Sequence, residues 1–152
     1  MKTKVFVLFC LIFYLSGCAT PPKPREIISA FPIERSYDLV WQAVIETFAE
    51  LQLPVMNMEK DSGLIITDWI DLTGQGNTDY CDCGGLGINI ELNRVGKFNV
   101  FVKKLAENSC EVKINTMYQQ TIKFSDLISK RKCISTGKLE AEFYKLVNDK
   151  LK

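Results

Sequence analysis

Apolar positions recur along this chain with three different spacings, and each spacing marks a different kind of segment. Val5 to Leu15 is an unbroken run of eleven apolar residues, preceded by Lys2 and Lys4. Further on the spacing becomes three and four. Tyr37, Val40, Trp41, Val44, Phe48 and Leu51 form a stripe, with Asp38, Gln42, Glu46 and Glu50 largely off it. This is the period of a helix with one buried side. Ser36 stands at the N-cap position, Asp38 places a negative charge in the first turn, and Pro54 ends the segment.

Elsewhere the period is two. Ile27 to Ile33 reads as a first strand at a sheet edge, because Pro32 cannot donate to a ladder. Val55, Met56 and Met58, the turn Lys60-Asp61-Ser62-Gly63, and Leu64 to Ile70 read as a hairpin. Leu64, Ile66 and Asp68 share one face of its second strand, and Ile65, Thr67 and Trp69 the other. Lys97 to Leu105 alternates and turns at Glu107-Asn108. It returns through Cys110, Val112, Ile114, Thr116 and Tyr118, with Glu111, Lys113, Asn115 and Gln119 pointing away. That is a second hairpin with one wet face. Thr121 to Lys132 has no clean period, and one helical turn is assigned around Ser125-Asp126-Leu127. A last helix opens after Ser135-Thr136-Gly137, with Leu139, Phe143, Leu146, Val147 and Lys150 along one side and Glu140 in its first turn. The expected fold is α+β, an antiparallel sheet with two helices packed on one face, in the order β-α-β-β-loop-β-β-α.

The loop in that order, Asp71 to Gly87, is rich in glycine and acid. Long loops in compact domains tend to carry function. Its glycines do not make a phosphate-binding fingerprint, since no helix follows them. Asp71, Gln75, Asn77, Asp79, Tyr80 and Asp82 are the candidate partner surface.

The N-terminal run has the order basic, apolar, small, which is that of a secretory signal, and it is too short to span a bilayer. Leu15-Ser16-Gly17-Cys18 resembles the lipobox of bacterial lipoproteins. The resemblance implies a diacylglycerol on the Cys18 thiol, cleavage before it, and a signal peptide over residues 1–17. In a Gram-negative host Ala19 then favours the outer membrane, with the domain facing the periplasm. Ala19 to Glu26 holds three prolines. It reads as an extended tether of roughly 25 Å, at ~3.1 Å per residue. Residues 18–26 are thus the lipidated tether and 27–152 a single domain.

Charge adds an exclusion. Removing Lys2 and Lys4 from 19 basic residues, against 18 acidic ones, leaves a near-neutral chain with no footprint for nucleic acid. The membrane is therefore held through the lipid at Cys18.

Four cysteines follow Cys18: Cys81, Cys83, Cys110 and Cys133. The compartment implied by the lipobox favours disulfides. A Cys-x-Cys pair bonds to itself only with strain, so Cys81 and Cys83 are each expected to reach outward. Two connectivities with Cys110 and Cys133 stay open. Zinc would want a second close pair or histidine, and the chain has no histidine, so no metal is expected. A redox pair of the Cys-x-x-Cys kind is absent.

Having no histidine also removes Ser-His and Cys-His chemistry. Asp68, Asp71, Asp79 and Asp82 could supply paired carboxylates for hydrolysis, but aspartates are ordinary turn formers in loops. Calcium binding over residues 71–79 would need more oxygen ligands than the spacing gives. No catalytic residue and no cofactor is assigned.

Tyr37-Asp38-Leu39-Val40-Trp41, Leu53-Pro54-Val55 and Lys60-Asp61-Ser62-Gly63-Leu64-Ile65 together resemble the helix-grip domain of the C lipoprotein of the β-barrel assembly machinery. The resemblance extends loosely over residues 27–152. It implies a non-enzymatic module that docks a protein partner in the cell envelope, with outer-membrane assembly as one setting. Two alternatives stand beside it. One is a carrier of a small apolar ligand between the long helix and the sheet, lined by Trp41, Trp69, Phe98 and Tyr118. The other is a carboxylate-based hydrolase. A cavity of several hundred Å3 would favour the carrier, and tight packing would favour docking.

Overall fold

The computed structural model describes residues 20–74, 77–85 and 91–152. The lipobox, Cys18, Ala19 and Gln75 lie outside the described residues. Strand β1 (Ala30–Ile33) leads into helix α1 (Tyr37–Glu50), followed by β2 (Val55–Glu59), β3 (Leu64–Thr67) and β4 (Ile70–Asp71). A 3-10 turn (Asn77–Tyr80) precedes β5 (Cys81–Asp82). Three longer strands follow, β6 (Glu91–Ala106), β7 (Ser109–Phe124) and β8 (Leu127–Ser135), and then helix α2 (Lys138–Lys150). This is an α+β fold with a sheet of eight strands, ordered β2-β3-β6-β7-β8-β5, with β1 on β7 and β4 on β6. Every pairing is antiparallel.

The expected order needs three additions. Strand β5 lies inside the stretch read as a loop and β4 straddles its start, Ile70 being read as the end of the preceding strand; at two residues each they are too short to show a period. The third is β8, in place of the helical turn assigned around Ser125. There the chain makes a two-residue turn, Phe124 pairing with Leu127 across Ser125 and Asp126. Ser125 takes a positive φ of 51°. Hairpin turns of this kind usually put glycine there, so the sequence carried no turn signal.

α1 buries Val40, Trp41, Val44 and Phe48 of the stripe seen in the sequence, and adds Ala43 and Thr47 beside them. Ser36 is its N-cap residue, although the hydroxyl makes no capping bond. The helix ends at Leu51, and Gln52 with φ 51° turns the chain before Pro54. Both helices meet the same face of the sheet. Phe48 of α1, Phe98 of β6 and Phe143 of α2 form a ring triad with centroids 5.3–6.1 Å apart. Around it Val44, Ile65, Val100, Val102, Val112, Ile114 and Val147 are buried completely or almost so.

Backbone closeness fixes the β2–β3 turn. Gly63 has φ 74°, and a Cβ there would lie 2.1 Å from the carbonyl oxygen of Val102. The Val102 amide donates to the Gly63 carbonyl at 2.8 Å, which ties the turn to β6. As Pro32 foretold, β1 pairs on one side only, with β7.

Candidate functional site

A second, smaller core sits at the end of the sheet away from β1. It is built from Leu72, Cys81, Cys83 and Tyr118, with Ile70, Tyr80 and Cys133 packed against it. Gly96 lies opposite Tyr118 in the ladder, and the missing side chain there gives room for the tyrosine ring and Leu72. Between the two cores opens an apolar cleft of about 260 Å3, lined by Leu51, Leu53, Phe98, Tyr118, Leu139 and their neighbours. Phe98 and Tyr118 thus line a common space. Trp41 does not join them; it packs in the main core at 4% exposure, and Trp69 is 40% exposed. The seam between α1 and the sheet is filled, and the cleft lies at one end of it.

Tyr118 is almost fully buried, and its hydroxyl has no hydrogen-bond partner. Burial, reinforced by the nearby Glu140 charge, pushes its pKa far upward, so it stays a neutral phenol. Glu140 is a site residue that the sequence did not mark. Its carboxylate accepts hydrogen bonds from Thr116 at 2.8 Å and from Ser135 at 2.8 Å.

The described carboxylates of the glycine-rich stretch, and Tyr80, are engaged within the chain. Asp71 accepts from the Thr73 amide and hydroxyl, which hold its carboxyl below the usual carboxylate range. Asp79 pairs with Lys138 at 3.2 Å, and the Tyr80 hydroxyl donates to Glu142 at 2.9 Å. Asp82 accepts from the Gly84 amide at 2.8 Å and from the Lys23 amide at 3.1 Å. These two bonds, chiefly, depress its pKa. For Asn77 only the backbone is described. The expected extended tether is therefore not free of the domain over residues 20–25. Thr20 accepts from the Gly85 amide at 2.9 Å, and Arg25 stands 3.9 Å from Asp82.

The cysteines follow half of the expected scheme. Cys83 and Cys133 form a disulfide, which joins the glycine-rich stretch to β8. Cys81 and Cys110 are buried thiols. No second bridge forms because Cys110 lies in the main core, eight positions from Tyr118 along β7. At ~3.3 Å per residue that is roughly 26 Å, while Tyr118 is the register partner of Cys133. Cys81 stays beside the bridge, its sulfur 3.9 Å from that of Cys83. Desolvation raises its pKa, with Arg94 opposing. The three sulfurs lie within 4.8 Å of one another. Above Cys81 and Cys83 is an open, mostly polar cleft of about 760 Å3, with Arg25, Arg94 and Lys138 on its walls.

The other face of the sheet carries neither helix. Register places Lys97 and Lys103 of β6, Lys113 and Lys123 of β7, and Lys130 and Lys132 of β8 on it. Glu59, Asp71, Asp82 and Glu111 are its acids among the described side chains. Met117 is 56% exposed and Ile128 61% exposed on the same face. None of the six lysines makes an ion pair among the described residues.

No protein-family model matches the chain, and no curated protein matches it. Among the described residues, no helix is long and apolar enough to cross a membrane.

Proposed function

We propose that this chain is a non-enzymatic, lipid-anchored envelope protein whose open sheet face docks an acidic segment of a protein partner. The observation that carries the reading is the lysine-rich face of β6, β7 and β8. An antiparallel sheet tolerates one solvated face, and here six lysines against four described acids leave that face net positive. Exposed Met117 and Ile128 add apolar contact among the charges. Such a mixture suits an acidic amphipathic segment, with charge setting orientation and encounter rate. The lipobox supports the anchor at Cys18 and an outer-membrane position facing the periplasm. The helix-grip resemblance supports docking as the role. The glycine-rich stretch is the weaker surface, because the described carboxylates of Asp71, Asp79 and Asp82 already hold partners within the chain.

The test is site-specific photo-crosslinking in intact cells, with the reactive side chain at Met117 or Lys130, and at Gln42 on the solvent side of α1 as control. One discrete adduct from each sheet position, lost when Lys113 and Lys132 are changed to glutamate, is expected. Adducts only from Gln42, or none from the sheet, would sink the reading. Radiolabelled palmitate incorporated at Cys18, and abolished by Cys18→Ala, tests the anchor separately.

A second reading rests on the apolar cleft. About 260 Å3 falls just below the usual range of small-molecule sites, roughly 300–1,000 Å3, so the ligand would be small. Saturable chemical-shift changes at Leu72 and Leu139 on adding a benzene-sized hydrocarbon would favour this carrier role; their absence would remove it.

A further inference from the structure

We propose that Cys81, Cys83 and Cys133 form a three-thiolate site for Cu(I) once the Cys83–Cys133 disulfide is reduced. The proposal is independent of the docking surface and of the lipid anchor. Its basis is placement. Cys81 is held on β5 opposite Ser135, and Cys133 on β8 opposite Tyr118, so paired strands fix two of the three backbones. Cys83 follows β5 directly and is buried.

Three sulfurs spaced evenly around one ion at about 2.3 Å stand about 4 Å from each other. Cys81 and Cys83 already stand 3.9 Å apart, so reduction needs to move only the Cys133 sulfur away from its partner.

Ligand type selects the ion. The set is all sulfur, the chain has no histidine, and thiolates favour soft cations such as Cu(I). Structural zinc wants four ligands, and the remaining thiol, Cys110, lies in the other core. Three thiolates around a monovalent cation carry a net double negative charge. Arg94 and Arg25 border the cleft that gives access to Cys81 and Cys83, where their charge opposes it.

A dithiol reductant gives two electrons and two protons to the Cys83–Cys133 bond and leaves as its own disulfide. Cu(I) then forms three bonds to sulfur, and three thiol protons go to solvent. A disulfide oxidant reverses both steps: it takes up two electrons and two protons as the Cys83–Cys133 bond re-forms, Cys81 regains a proton from solvent, and the ion leaves.

The experiment uses the full chain carrying Cys10→Ser and Cys18→Ser, which leaves four cysteines. Oxidised and phosphine-reduced samples are titrated anaerobically with Cu(I) held by a chromogenic chelator, and folding is followed by circular dichroism. The reduced chain is expected to withdraw one equivalent of Cu(I) while folded, and the oxidised chain none. Cys81→Ser or Cys133→Ser should weaken the reduced chain's affinity at least 100-fold, and Cys110→Ser should leave it unchanged. Equal uptake by oxidised and reduced chains, uptake undiminished by Cys81→Ser, or no uptake by the reduced chain would overturn the proposal. So would copper binding only by a chain that has lost its circular dichroism, since unfolded thiols bind metal too. Displacement of the copper by equimolar zinc would overturn the choice of ion.

Discussion

Glu140 shows how far a single side chain's role can depart from its place in a pattern. In sequence it is an acid in the first turn of a helix, where the dipole favours it and solvent is expected. In the fold it is 2% exposed and accepts from Thr116 on β7 and Ser135 at the end of β8. The same carboxylate therefore fastens α2 to two strands. Glu140→Ala leaves two hydroxyls without their acceptor and should cost about 2–4 kcal/mol. Urea unfolding would read this as a lower midpoint at unchanged slope. A loss under about 1 kcal/mol would mean that water replaces the carboxylate without difficulty. Asp82 carries a pH-dependent version of the same logic. Bonds from the Gly84 and Lys23 amides depress its pKa in the folded chain. The stabilisation it provides is therefore complete above the ordinary carboxylate value of about 4 and is lost as pH falls through the depressed value. Acid should release residues 20–25 from the domain. Hydrogen exchange at the Lys23 amide, corrected for intrinsic rates, should accelerate over that range, and Asp82→Asn should accelerate it at neutral pH. Exchange that stays constant through the acid range would count against the contact.

At the scale of elements, legibility followed the strength of the period. The stripe from Tyr37 to Leu51 and the alternation through Val100 and Val112 each have one buried side, so α1, β6 from Lys97 on and β7 as far as Tyr118 could be read directly. Glu91 to Gly96 and Thr121 to Phe124 of the same strands were not. β8 could not be read directly. Its residues Leu127 to Lys132 are exposed or nearly so on both faces, and strand character there comes from pairing with β7 rather than from burial. β4 and β5 are too short for any period, and the contacts of residues 20–25 depend on partners about sixty positions away. The candidate site divided in the same way. Phe98 and Tyr118 lay on a face that the alternation had marked, whereas the positions of Cys81 and Cys110 depend on which core each strand enters. The turn before β8 gives this a test. Ser125 holds a positive φ, a conformation costing a side-chain-bearing residue roughly 1–2 kcal/mol. Glycine would avoid that cost and lose about 0.5–1 kcal/mol of it to greater freedom when unfolded. Ser125→Gly should therefore stabilise the chain by about 0.5–1 kcal/mol. A drop in the unfolding midpoint would show that β8 is not held by this turn.

Over the whole molecule, one sheet serves two cores of unequal size, and the covalent bond belongs to the smaller. The main core joins α1 and α2 to β1, β3, β6 and β7 through some fifteen buried side chains. The smaller has four, and two of those are Cys83 and its neighbour Cys81. A bridge across 50 residues of sequence constrains the unfolded chain by about 4 kcal/mol in the loop-entropy account. Its local effect should be uneven, because the main core contains neither bridged cysteine and its ring triad does not rest on the bond. Reduction should then open the structure in parts. Amides of Tyr80 to Gly85 and of β8 should lose protection from hydrogen exchange first. Those of Val100, Val102, Val112 and Ile114 should keep theirs until global unfolding, at a denaturant midpoint lowered from that of the oxidised chain. Uniform loss across both cores would make the disulfide a determinant of the whole fold. Loss confined to the smaller core would make it a local clasp, one that can open over Cys81 while the helices and the main core stay in place.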